Sequence, residues 1–149
     1  MPNARKKAAA RPACNRTAKV YWLPMPRRQA ESIVLQYRIA IEAFRNAHAT
    51  QMEAQHLAQA VLLTNMLTQV GYGRLEHALI CTTEEDVLAM LERGGETGEW
   101  TLSDVSLARL TAVINEHDRQ LHEVHLAALI ECNERLKGFI HNVVQGPAN

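Results

Sequence analysis

The sequence predicts an all-α protein: a three- to four-helix bundle with a long C-terminal helix and a basic, largely disordered N-terminal arm. Three observations predict it. From Pro26 onward the apolar residues recur at steps of three and four, and no run alternates with period two. Cap and turn residues cut that pattern into separate segments. Four of the five prolines (Pro2, Pro12, Pro24 and Pro26) stand before it, and proline removes a backbone donor and restrains the residue preceding it.

The first helix is expected over about residues 28–47. Ile33, Tyr37, Ile41, Phe44 and Ala47/His48 form its stripe on one face, and Pro26 stands just ahead of it, where proline is tolerated. The second helix opens at Thr50-Gln51-Met52-Glu53, a capping box with Thr50 at the N-cap and Glu53 at the third position. Leu57, Ala60, Val61, Met66, Leu67 and Val70 follow, and Leu62 and Leu63 widen the stripe. A surface this apolar predicts the most buried helix of the bundle. Gly71-Tyr72-Gly73 reads as a break, with a kinked continuation to Cys81 as the alternative.

Thr82/Thr83 mark the start of the third helix. Glu84, Glu85 and Asp86 fill its first turn, where the helix dipole favours anions. Val87, Leu88 and Leu91 point inward, Gly94-Gly95 ends the helix, and residues 95–100 form a polar loop. Thr101 and Asp104 form the capping pair of the last helix. Neither Gly nor Pro interrupts residues 102–137. At 1.5 Å per residue this is a rod of roughly 50 Å, or a helix bent around His117.

A chain of 149 residues, 47% hydrophobic and 21% charged, is expected to be one domain with a real core. Full-length disorder, collagen-like repetition and a disulfide scaffold are excluded. No segment approaches the ~18 apolar residues of a membrane span, and no apolar stretch follows the basic start as in a secretory signal. Cys14, Cys81 and Cys132 are odd in number and in no CxxC spacing, so a reduced, cytoplasmic setting is expected. Cys81 and Cys132 are read as core residues. Cys14, near Arg11 and Arg16, is the candidate reactive thiol.

The net charge of zero hides two opposite halves. Residues 1–28 hold eight cations and no acid, whereas the remaining 121 hold 8 Lys/Arg against 16 Asp/Glu. The chain therefore divides into a basic arm (1–26), an acidic helical body (27–141) and a short tail (142–149). Disorder is expected to about Arg16, then an extended stretch through Tyr21-Trp22-Leu23, an aromatic patch able to dock on the body or a partner. Arg5, Lys6, Lys7, Arg11, Arg16, Lys19, Arg27 and Arg28 are the candidate contacts for nucleic-acid phosphate. Arg38 and Arg45, seven apart and nearly aligned, extend that surface. The arm alternatively folds onto the acidic body or remains a solvated tail.

Catalytic patterns are missing. Neither GxSxG, nor a Walker loop, nor GxGxxG after a strand is present, and no enzyme or cofactor is expected. Glu116, His117, Asp118, His122, Glu123 and His125 cluster on the last helix. Asp118, His122 and His125, four and then three apart, share a face on a helix, and their types suit zinc or iron. Without HEXXH this cluster reads as a solvated face, the metal site being its alternative. The third and fourth helices are acidic, unlike a recognition helix in a groove lined by phosphate. The long amphipathic helix favours a protein partner, including a homodimer beside the monomeric bundle.

With Leu23-Pro24-Met25-Pro26, the first helix, and the Gly94–Trp100 loop before a long last helix, residues 22–141 resemble short all-helical proteins of bacterial plasmids and integrative elements, often labelled Fis-type regulators. The label implies a basic C-terminal helix-turn-helix. Here that region is acidic and ends in Phe139-Ile140-His141, so no functional residue is carried over. The expected function is a small non-enzymatic bacterial accessory or regulatory protein. Its bundle makes protein contacts and its arm contacts nucleic acid. The alternative is an adaptor or inhibitor acting through the acidic bundle surface, without nucleic acid.

Overall fold

The computed structural model describes the backbone of residues 14–145 and the side chains of residues 18–141. The chain forms α1 (Cys14–Tyr21), α2 (Arg27–Arg45), α3 (Gln51–Leu67) with a π-helical turn at Thr68–Tyr72, α4 (His77–Thr97), α5 (Asp104–Glu123) and α6 (Leu126–Gln145). Among the described residues there is no β-strand beyond one isolated bridge. Nor, among these residues, is any helix long and apolar enough to cross a membrane.

α3 is the hub, packing against α2, α4, α5 and α6. This explains why its sequence is apolar around most of its circumference: Ala54, Leu57, Ala58, Ala60, Val61 and Leu67 are all buried. Its N-terminus carries the expected capping box, with the Thr50 N–H donating to Glu53 Oε2 at 2.8 Å. The core lies in two clusters along the hub. One gathers Ile41, Phe44, Leu57, Val61, Ile80, Met90, Leu110 and Ile114. The other gathers Val34, Leu67, Leu121, Leu129 and Cys132.

Five expectations are corrected. The extended stretch expected through Tyr21 is instead the end of α1, and Trp22 turns the chain. α4 begins at His77, not Thr82/Thr83. Those two hydroxyls donate back to the Ala78 and Leu79 carbonyls (2.9 and 2.7 Å), so they sit inside the helix rather than cap it. Ser103, not Thr101, caps α5, its Oγ accepting from the Ser106 N–H at 3.1 Å. The expected rod of residues 102–137 breaks at Val124, whose backbone is extended (ψ 135). The break is made by the N-terminal segment: Pro24 bridges His125, and the Leu126 N–H donates to the Leu23 carbonyl at 2.8 Å.

Gly94-Gly95 also lies within α4 rather than ending it. Gly94 is buried because the Trp100 indole lies where its Cβ would be. The helix continues to Gly98, whose left-handed backbone (φ 74) stops it while its N–H donates to the Gly94 carbonyl at 2.8 Å. Gly94→Ala must displace the indole and is expected to cost about 1–3 kcal/mol. Gly95→Ala meets nothing within 4 Å and is expected to stabilise by up to about 1 kcal/mol through helix propensity. Urea denaturation of the two variants reads the opposite signs.

Candidate functional site

The break between α5 and α6 gathers side chains from three distant parts of the chain. Trp22 follows α1, Tyr72 closes the π-helical turn, and His125 stands between α5 and α6. The Trp22 and His125 rings stack with centroids 5.1 Å apart at 28°. Tyr72 meets the same imidazole edge-on at 5.7 Å and 77°, its hydroxyl 3.5 Å from His125 Nδ1. With Cys132 and Arg135 these rings line a hollow of about 230 Å³. Trp22 is 69% exposed, and Val20, Tyr21 and Leu23 beside it are exposed as well.

Tyr72 is held there by a charged clamp. Arg119 donates from Nη2 to the Tyr72 carbonyl at 2.6 Å. It pairs bidentately with Glu116, Nε to Oε2 at 2.9 Å and Nη2 to Oε1 at 2.6 Å, and reaches Glu123 at 2.7 Å. Glu116 also accepts from the Arg74 N–H at 2.7 Å. Burial raises the Glu116 carboxyl pKa. The hydrogen bonds from Arg119 and Arg74 and the guanidinium charge more than offset that, and the pKa lies below its usual value. Arg119 is held charged chiefly by its hydrogen bonding to Glu116. Next to Glu116 in α5, His117 is fully buried with its ring 5.6 Å from Tyr37. Its Nδ1 has no partner, nor do Asn65 Oδ1 and Gln120 Oε1.

The expected contacts fall unevenly on this geometry. Arg5, Lys6, Lys7 and Arg11 lie outside the described residues, and Arg16 and Cys14 are described only by backbone in α1. Lys19 and Arg28 are exposed, and Arg27 pairs with Glu31 at 2.7 Å. Arg38 and Arg45 share a face of α2 as their spacing requires, but that face is turned to α5. Arg38 reaches Asn115 and Asp118, both at 3.1 Å, and Arg45 reaches Glu42 and Thr111.

Asp118, His122 and His125 do not share a face. His122 Nδ1 lies 3.0 Å from Asp118 Oδ1, whose partner oxygen is held by Arg38, while His125 stands beyond the break in its aromatic stack. Among the described residues no group of three or more His, Cys, Asp or Glu could hold a metal. The chain matches no protein-family model, no curated protein and no solved structure.

Cys132 is buried, as expected, and burial pushes its thiol pKa up. Cys81 is only half-buried, its Sγ 3.3 Å from His77 Nε2 on the same face of α4. Tyr72 and His125 escape a reading of the sequence. Tyr72 sits in a glycine pair read as a break, and His125, on a helix read as uninterrupted, is singled out there only as a metal ligand and not as the ring partner of Trp22. The signal that points to them is Trp22-Leu23-Pro24-Met25-Pro26, an aromatic ahead of two prolines that hold the chain extended.

Proposed function

We propose that the protein is a non-enzymatic accessory or regulatory protein that contacts nucleic acid through its N-terminal segment and other proteins through its acidic bundle. The observation that carries this reading is Trp22. It is exposed, backed by the His125 ring, and placed where the eight-cation segment joins the body. A run of cations and an exposed aromatic face are the two parts of a single-strand binding surface: the first meets phosphate, the second stacks on a base. Most cations of the body support the division of labour, since Arg38, Arg45, Arg74, Arg109, Arg119 and Lys137 are paired with its own carboxylates.

Fluorescence anisotropy of labelled single-stranded DNA, duplex DNA and RNA tests this. Binding is expected at low salt, and affinity should fall by roughly 10³-fold between 50 and 200 mM salt if about six phosphates are neutralised. Replacing Arg5, Lys6, Lys7 and Arg11 together by Gln should flatten that slope. Trp22→Ala should weaken single strands by about tenfold, the worth of one stacked base, and leave duplex affinity unchanged. No binding of any of the three at low salt overturns the reading in favour of a protein partner for the acidic surface.

A further inference from the structure

A cleft of about 380 Å³ opens where α2, α3, α5 and α6 meet. Its inner wall is Leu63, Leu67, Leu121 and Leu129, with Tyr37 and His117 at the floor. Its rim carries the amides of Gln29, Gln36, Gln59 and Asn133. In a chain that is 21% charged, no Asp, Glu, Lys or Arg among the described residues lines it, and its titratable side chains are Tyr37, His56 and His117. The volume is within the ordinary range for small-molecule sites, which combine apolar walls with a few convergent polar groups. It corresponds to roughly a dozen waters at about 30 Å³ each.

We propose that this cleft binds a small uncharged molecule: an apolar ring system or short acyl body carrying a hydrogen-bonding carbonyl, hydroxyl or amine. The lining decides the class. An ion would be desolvated with no carboxylate, ammonium or guanidinium among the described lining residues to meet it, which is unfavourable. That excludes the cationic arm as occupant for the same reason, and a partner helix about 10 Å across does not enter a space this small. Amides at the rim both donate and accept, so they accommodate either polarity of a neutral group. The floor offers a neutral phenol at Tyr37 and the edge of the His117 imidazole. This inference stands independently of the nucleic-acid reading.

Titration of the full chain with N-phenyl-1-naphthylamine, an uncharged fluorescent probe, tests it. One saturable site is expected. Ile130→Trp narrows the cleft from an exposed position and Gln36→Glu adds a charge at its rim. Each should weaken the probe by about tenfold or more, the loss of one good contact. Leu88→Gln alters a separate apolar groove formed with Trp100, Phe139 and Ile140, and should leave binding unchanged. 1-Anilinonaphthalene-8-sulfonate, the same ring framework with a fixed charge, should bind more weakly. Absence of a saturable site overturns the proposal. So does equal binding of the sulfonate, or loss in Leu88→Gln with parental binding in Ile130→Trp.

Discussion

Replacing Arg119 with alanine is expected to destabilise the protein by about 3–5 kcal/mol, the cost of removing one partner from a buried ion pair. Glu116 has a side chain only 7% exposed and accepts both arms of the Arg119 fork. Without the guanidinium it is a nearly buried carboxylate left with the Arg74 N–H. The Tyr72 carbonyl loses its 2.6 Å donor at the same time, and the turn that carries Tyr72 to His125 is left tied to α5 only through Arg74 and a long Gln120 contact. Thermal unfolding should record a fall of roughly 10 °C, given a few degrees per kcal/mol for a chain of this size. Arg119→Lys keeps the charge but not the planar fork, and should recover only part of the loss. The double variant Arg119→Ala/Glu116→Ala should lose less than the sum of the single ones, because the two residues act as a unit. A loss under about 1 kcal/mol would instead rank the clamp with exposed ion pairs.

Acidification should destabilise the fold in two separable steps. His117 is enclosed, and burial lowers its pKa to about 4 from 6.5; its contact with Gln120 and the nearby Asp118 and Glu116 charges pull the other way without prevailing. The unfolded chain therefore takes up this proton at a higher pH than the folded one. Stability is at its full value above pH 6.5 and falls as pH drops toward about 4, by about 3 kcal/mol in total. Glu116 is shifted in the same direction for the opposite reason, because its charged form is favoured by its partners. Its folded carboxyl lies below the usual value, so its contribution is present above the unfolded pKa of about 4.3 and is lost as pH falls through the folded pKa. His117→Leu should flatten the dependence between pH 6.5 and 4.5 and leave the lower step in place. Urea denaturation from about pH 7 down to about pH 3 checks both. An unchanged slope in His117→Leu would assign the first step to another group.

Much of the helical architecture is legible in the sequence, because it is encoded by interactions within a few residues. The Thr50–Glu53 capping box starts α3, and the apolar surface of 51–67 marks it as the hub. The stripe through Ile33, Tyr37, Ile41 and Phe44 gives α2 its inner face. The prolines before residue 27 place its start. Helix ends that depend on distant residues are not legible. Gly94-Gly95 resembles a terminator until the Trp100 indole is seen lying against it. Thr82 and Thr83 resemble caps, yet with α4 already begun at His77 their hydroxyls bond backward.

The candidate site divides in the same way. The sequence by itself determined an all-helical chain, its opposed charge halves and an aromatic patch beside the cations, since composition and short-range periodicity need no partner in space. Only the tertiary structure decided that Pro24 pairs with His125 and breaks the last helix at Val124. That break separates His125 from Asp118 and His122 and delivers it to Trp22 and Tyr72. Tertiary packing also turned Arg38 and Arg45 onto α5 and closed an uncharged cleft between four helices. The physical reason is common to these features. Each joins residues distant along the chain, and the free energy of such contacts depends on how the helices pack, which no local pattern encodes.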